Sequence, residues 1–575
     1  MMSYLERPWL KFYPKNIPHE VEVPEVSMTS LIDKAIRAHG GEVALIYLGT
    51  KITYSDLGRY IENLASALSK QGIRKSSVVA IYLPNCPQFV MAYYAIQKLG
   101  AIPTAVSFLY TNREIKLQLS NSGAEFIIML DLMYEKMKPL LNELRINKVM
   151  LVSMMHFLSP VKRAIGSLLG KVQKPSIPAG EPVLYLDKML EMPSTGYPEA
   201  EISPKDDAAS IVYTAGTTGL PKGITITHYN VVASMTITDA ASGDLYKSRD
   251  TQYLLAYLPF FHVYGQIVLM TGGLSMGKTL IVIPNPKFEE MLKLIDKYRI
   301  AVFFGVPASF SIMIKYIKSG KFKLNSLRMC SCGSDKLPKN VSEEFKKLTG
   351  VDITEGYGLT EACGGVAGPA IGQEVRYDTL GTPLPSTLIA IASPEKDEFV
   401  PIGEQGEILV HGPQVMKEVW KDPQRTAKYF ATIGGKKWLR TGDLGYMDPD
   451  GYLHFVERLK EVIKYKGFQV FPKELEKIIS EHPAVGEVAV IGIDTPRDYQ
   501  IIKAFIVLKE GFKGTKKEEI TEWCSRSLAP YKIPKEIEFM ESLPKNRMGK
   551  VMRESLRERE NGLRKGNNSP PPGSA

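Results

Sequence analysis

The sequence predicts an α/β protein of unequal parts, and three observations carry that reading. Between residues 30 and 150, helical and strand-like hydrophobic patterns alternate, and the alternation returns from Ala208 to about residue 353. After Gly381 the texture changes to short strands and turns, and beyond residue 461 a small α+β unit follows. At 575 residues the chain is too long for one compact core, so two or more domains are expected.

The elements follow in order. Residues 57–70 carry apolar side chains at helical spacing and read as an amphipathic helix. Val78-Val79-Ala80-Ile81-Tyr82-Leu83 reads as a buried strand, ended by Pro84-Asn85. A helix through residues 91–99 and a strand over 102–106 complete a strand–helix–strand rhythm, which predicts a parallel sheet covered by helices. No short-period repeat is visible. Further on, residues 406–410 and 451–456 read as short strands, and Glu457-Arg458-Leu459-Lys460-Glu461 as an inter-domain hinge. The expected organisation is a first domain over 1–456, the hinge at 457–461 and a second domain over 462–560. The tail, 561–575, is rich in Asn, Pro, Gly and Ser and is expected to be disordered.

An excess of 72 basic over 62 acidic residues gives a charge of +10, which suits anionic ligands. Neither a basic recognition helix nor an aromatic RNA-binding signature accompanies it, so nucleic acid is not an expected partner. Five scattered cysteines argue for a reducing compartment, and Cys330-Ser331-Cys332 lacks the second ligand pair of a metal site. The opening Met1-Met2-Ser3-Tyr4-Leu5-Glu6-Arg7 has no apolar signal-peptide core. Residues 251–277 hold no charge, but Pro259, His262, Gln266 and four glycines interrupt them, so they read as buried interior. A cytoplasmic protein is expected.

The most informative stretch is Tyr213-Thr-Ala-Gly-Thr-Thr-Gly-Leu-Pro-Lys-Gly223. A buried strand over 210–213 runs into a loop of glycines and hydroxyls. Glycines let backbone N–H groups converge on an anion, threonines add donors, and Lys222 supplies charge. Residues 272–279 also satisfy the P-loop pattern, and 273–277 the GxSxG pattern. Both need a strand before and a helix after, whereas Leu280-Ile281-Val282-Ile283 read as a strand, so both are set aside.

Five more motifs follow in order: Leu258-Pro-Phe-Phe-His-Val-Tyr-Gly265, Glu355-Gly-Tyr-Gly-Leu-Thr-Glu361, Arg440-Thr-Gly-Asp443, Glu457-Arg-Leu-Lys-Glu-Val-Ile-Lys-Tyr-Lys-Gly-Phe-Gln469 and Pro544-Lys-Asn-Arg-Met-Gly-Lys550. With the glycine-threonine loop they resemble the adenylate-forming superfamily of acyl- and aryl-CoA synthetases, firefly luciferase and peptide-synthetase adenylation domains. The resemblance spans roughly residues 30 to 560. It implies two doubly wound sheets plus a small distorted β-barrel, followed by a small mobile α+β domain. It implies ATP, Mg²⁺ and coenzyme A as cosubstrates, with a carboxylic acid activated as acyl-AMP.

The resemblance also implies roles. Thr214, Gly216, Thr217, Thr218, Gly219 and Lys222 would hold phosphate. Asp443 would accept from the ribose hydroxyls, Tyr357 would stack on adenine, and Gly333, Ser334, Glu355, Gly356 and Gly358 would lie along the nucleotide. Arg458 would reach it from the hinge. Glu361 would bind Mg²⁺, a hard carboxylate for a hard ion, with Thr360 beside it on phosphate. His262 would orient and gate, and Lys550 would bridge the carboxylate and the α-phosphate. Lys460 would be the pivot about which Lys464, Lys466, Gly467 and Phe468 come to line a pantetheine tunnel. Two positions depart from the pattern: Ala215 replaces a hydroxyl, and Glu355 replaces a glutamine.

The acyl pocket is expected from Phe260, Tyr264, Val306, Gly333, Gly356, Gly364 and Gly365. Its glycines and lack of a charged anchor favour an extended apolar acid, as in the medium- and long-chain fatty acyl-CoA synthetases that the chain most resembles. Gln266 stands where some long-chain enzymes carry a gating tryptophan. An aryl- or short hydroxyacyl-CoA ligase, or a ligase loading a carrier protein, are the alternatives. Residues 157–172 carry an apolar stripe with Lys162, Arg163 and Lys171 on other faces. This suits either packing on the protein or a peripheral contact with anionic membrane. A homodimer also stays open.

Overall fold

The computed structural model describes residues 3–108, 110–144, 146–159, 162–163, 177, 180–214, 222–465, 468–495, 500–546 and 549–567. After two short turns and helix Met28–His39 comes a hairpin of β1 (Val43–Tyr47) and β2 (Thr50–Thr53). Helix Tyr54–Lys70 starts at a cap in which Thr53 Oγ1 accepts from Asp56 N at 3.0 Å. Next come β3 (Val78–Tyr82), β4 (Ile102–Ala105), β5 (Phe126–Leu130), β6 (Lys148–Val152) and β7 (Val183–Tyr185). They form one parallel sheet in the order β4-β3-β5-β6-β7, as the strand–helix rhythm predicts.

The second alternating region is not uniformly parallel. β8 (Ala208–Thr214) and β9 (Lys222–Thr227) run antiparallel, because the glycine-threonine loop between them is too short for a helical crossover. β10 (Tyr253–Ala256) and β11 (Thr279–Val282) join β1 in a sheet ordered β10-β11-β1-β2. β12 (Val302–Gly305), β13 (Met329–Cys332) and β14 (Ile353–Glu355) are parallel. The uncharged stretch between β10 and β11 is buried interior, containing the π-helical turn Tyr264–Thr271. Its P-loop pattern lies in helix Gly272–Ser275 leading into β11, the reverse of the order a P-loop requires. Lys278 there is buried, with Nζ on the Tyr246 carbonyl.

The region read as a small barrel consists of two antiparallel sheets. One holds β15 (Tyr357–Leu359), β16 (Gly364–Gly368) and β17 (Thr382–Pro383). The other contains β18 (Leu388–Ala392) and β19 (Gly406–His411); β20 (Glu418–Val419) turns away to pair with β9. β21 (Phe430–Ile433), β22 (Lys436–Met447) and β23 (Leu453–Arg458) complete the second sheet.

After a short turn over Leu459–Glu461, a separate core forms from Leu475, Val490, Ile502 and Ile520. It is built on β24 (Ile463–Tyr465), β25 (Phe468–Val470), helix Pro472–Ser480, β26 (Val485–Asp494), β27 (Gln500–Leu508) and β28 (Glu536–Phe539). Here the tail expectation needs correction. Residues 561–567 are helical, continuing Arg553–Asn567, while 568–575 lie outside the described residues. The helix that they extend is anchored upstream of them: Leu556 is buried, Arg553 pairs with Glu476 and Arg557 with Glu461. Of the striped segment 157–172, only 157–159 and 162–163 are described. Phe157 there is buried, edge-on to Tyr60. Among the described residues no helix is long and apolar enough to cross a membrane.

Candidate active site

The cleft is built where β13–β16, β22 and the C-terminal domain meet. β22 and β23 place Asp443 opposite Arg458, and Arg458 Nε lies 2.8 Å from Asp443 Oδ1. From the start of β15, Tyr357 donates its hydroxyl to Asp443 Oδ2 at 2.7 Å. The carboxylate is 1% exposed, so its charge is held by these two partners rather than by water. Asp443 raises the Arg458 pKa still further, and burial pushes the Tyr357 hydroxyl well up. The sequence reading placed all three on the nucleotide; the fold joins them to one another through one hydrogen bond and one ion pair.

Glycines let the strands close in around this group. A Cβ on Gly358 would sit 2.3 Å from the Gly364 carbonyl oxygen, and Gly364 itself has φ 118°. Gly356 N donates to Cys332 O at 2.9 Å and Gly333 N to Gly305 O at 3.2 Å, while Ser334 adopts φ 75°. Glu355, at the end of β14, accepts from Leu337 N, and burial pushes its carboxyl up to about 7. Cys330 and Cys332 are buried in β13, and burial raises both thiols.

At the phosphate-loop end, Lys222 Nζ pairs with Glu361 at 3.0 Å, both side chains largely buried. It also bonds to the hydroxyl of Tyr429, a partner that no sequence motif signalled. Thr214 faces Lys222 across β8 and β9, and its buried Oγ1 has no hydrogen-bond partner among the described residues. Thr360 is buried in the turn preceding Glu361. Gly216, Thr217, Thr218 and Gly219 lie outside the described residues. The Glu361 carboxylate, here paired with Lys222, is a hard oxygen donor of the kind a divalent cation takes.

His262 begins the turn that leads into Tyr264–Thr271. Its Nδ1 accepts from Tyr264 N at 3.2 Å. Burial, with Lys550 adding to it, lowers its pKa to about 4. The ring is therefore neutral at pH 7, with its proton on Nε2. Phe260 is fully buried against Phe89 at 5.4 Å, and Val306 is buried after β12. Tyr264 lies beside Gly333, where a Cβ would be 3.4 Å from its ring, and Gly365 pairs with Gly358 across β15 and β16. Gln266 is also fully buried: Oε1 accepts from Tyr93 and Ser210 at 3.2 and 3.3 Å, and Nε2 donates to Phe260 O at 3.0 Å. It is a locked strut behind Phe260.

Lys550 enters from the C-terminal domain. Burial lowers its pKa against the opposing pull of Asp335, and the charges of Arg458, Lys473 and Asp443 also act on it. Asp335 and Lys473, 3.4 Å apart, were missed because neither belongs to a recognisable motif. Lys460 lies in the turn Leu459–Glu461, its pKa lowered by burial. Lys464 and Phe468 are exposed, with Phe468 stacked on Tyr531 at 4.4 Å; Lys466 and Gly467 lie outside the described residues.

Comparison with known proteins gives the family. The family model for AMP-binding enzymes matches residues 32–420, and that for their C-terminal domain matches 474–550. The chain is 34% identical over 559 residues to a long-chain-fatty-acid–CoA ligase of Bacillus subtilis (strain 168), covering 96% of this chain and 98% of that one. It is 32% identical to a probable 4-coumarate–CoA ligase 1 of Dictyostelium discoideum, covering 93% and 96% of the two chains. A solved long-chain-fatty-acid-CoA ligase from Archaeoglobus fulgidus superposes with TM-score 0.68 at 25% identity, covering 92% of this chain and 99% of that one. ATP-bound MatB from Rhodopseudomonas palustris gives TM-score 0.80 at 23% identity, covering 94% and 100%, and shares the fold. The chain belongs to the AMP-binding enzymes.

Proposed function

We propose that the protein is an AMP-forming acid–thiol ligase that activates a medium- or long-chain fatty acid with ATP and passes the acyl group to coenzyme A. The observation that carries this reading is that the buried Lys550 ammonium feels the charges of Asp335, Arg458 and Asp443 and in turn acts on His262, beside the Asp443–Arg458 ion pair. Full-length similarity to long-chain-fatty-acid–CoA ligases supports the choice of acid.

In the first step a carboxylate oxygen attacks the α-phosphorus, and pyrophosphate leaves with the bonding pair. Asp443 receives the ribose hydroxyls, and Lys550 stabilises the charge between carboxylate and phosphate. Neutral His262 donates from Nε2 to an oxygen of the reacting groups. Glu361 and Thr214 would hold Mg²⁺, which supplies charge neutralisation at the phosphates. In the second step the thiol sulfur attacks the acyl carbon, its proton is lost, and AMP departs. Lys464 and Phe468 then guide the carrier arm after rotation about Lys460. The apolar walls at Phe260, Val306 and the paired glycines take the chain.

The test is pyrophosphate release across acids of graded chain length, with and without coenzyme A. The expected result is AMP and pyrophosphate as products, with activity peaking on unbranched medium or long acids. Stoichiometric ADP would remove the protein from this reaction class. A preference for aromatic acids would overturn the fatty-acid assignment alone.

A further inference from the structure

Glu457 occupies an unusual position: read from the sequence as the first hinge residue, it is built into β23, ahead of the turn Leu459–Glu461, yet it touches the domain beyond. It is the penultimate residue of β23, 1% exposed, and pairs with Leu444 across the sheet. Its Oε2 accepts from Lys473 N at 2.8 Å, and its Oε1 from Arg458 N at 3.0 Å. Lys473 is the second residue of helix Pro472–Ser480, where backbone N–H groups lack partners within the helix. A carboxylate there also meets the positive end of the helix dipole.

The Lys473 side chain turns back across the same boundary, with Nζ 3.4 Å from Asp335 Oδ1. Arg553, tied to Glu476 at 2.7 Å, adds a positive charge near Glu457. Next to Lys550, a Cβ on Gly549 would lie 2.9 Å from that of Ala308, so the two domains meet closely there too.

We infer that Glu457 is a positioning residue that holds the C-terminal domain in the adenylating pose. It does so by capping that domain's first helix from the far side of the hinge. When the domain turns about Lys460, Glu457 stays with the large domain and Lys473 N leaves it. The carboxylate, buried in this pose, then loses a hydrogen-bond donor, which opposes rotation. Glu457 thereby sets the balance between the two half-reactions. This inference rests on the role given to Lys550 in the proposed function.

The experiment uses full-length Glu457→Met, Glu457→Gln and Lys473→Met, with decanoate as the acid. Adenylation is read as pyrophosphate release without coenzyme A, and thioester formation from supplied decanoyl-AMP plus coenzyme A. Glu457→Met is expected to lower adenylation roughly tenfold, from loss of one charged acceptor, with thioester formation unchanged or faster. Glu457→Gln, which keeps an acceptor, should recover part of the loss. Lys473→Met, which keeps the backbone N–H on Glu457 but removes the Nζ contacts with Asp335 and Glu476, should show the same bias more weakly and serves if the Glu457 variants do not fold. Equal loss of both half-reactions, or wild-type rates in the variants, would overturn the inference. Amide exchange at Lys473 is the independent readout. Faster exchange in Glu457→Met supports the cap even if the wild type activates no acid, and unchanged exchange overturns it.

Discussion

Tyr357 donates its hydroxyl to Asp443 Oδ2 at 2.7 Å, while Arg458 Nε holds the other oxygen at 2.8 Å. The buried carboxylate is thus shared by two partners that the sequence reading had turned toward the nucleotide, Tyr357 onto adenine and Arg458 reaching in from the hinge. A ribose diol must compete with them or replace one.

Asp443→Ala should weaken ATP use by about 1.5–3 kcal/mol, the range for a hydrogen bond to a charged group. Tyr357→Phe should cost less, because Arg458 still neutralises the carboxylate. Measuring kcat/KM for ATP checks both, and equal, negligible effects would place the ribose elsewhere.

Lys550→Ala should lower acyl-AMP formation on the order of 10²–10³-fold, typical of losing one preorganised charge contact. It should still convert supplied acyl-AMP and coenzyme A to thioester, because Lys550 has left the reacting carbon by then. Comparable losses in both steps would reject that division of labour.

Gly358→Ala places a Cβ 2.3 Å from the Gly364 carbonyl oxygen, backbone against backbone. Destabilisation of about 1–3 kcal/mol is expected from this overpacking, read as a lowered Tm. An unchanged Tm would mean that β15 and β16 separate at no cost.

Glu355 carries the pH prediction. Burial raises its folded pKa from the ordinary 4.5 to about 7, so the folded protein keeps a proton that the unfolded chain loses. Its stabilising contribution is present below pH 4.5 and is lost as pH rises to about 7. The difference in Tm between wild type and Glu355→Gln should therefore shift against the wild type as pH rises through this window. A difference independent of pH would show that Glu355 does not titrate there.

Much of the architecture and the outline of the site were legible in the residues. The apolar run at residues 78–83 demanded a buried strand, and the structure places β3 (Val78–Tyr82) at the heart of a parallel sheet. The motif around Tyr357 required glycines, and Gly358 proves to be a position where no Cβ fits. Such features depend on local pattern and backbone freedom, which sequence carries directly. Long-range contacts are different. Asp335 with Lys473 and Lys222 with Tyr429 join residues 138 and 207 positions apart through polar side chains that any surface could carry. The final helix shows the same limit. By itself the segment beyond Asn561 is polar and weakly helical, and it follows a helix pinned by Arg553 and Arg557 to carboxylates elsewhere in the fold. Composition measures what a segment can bury alone; only the tertiary structure supplied the partners that hold it.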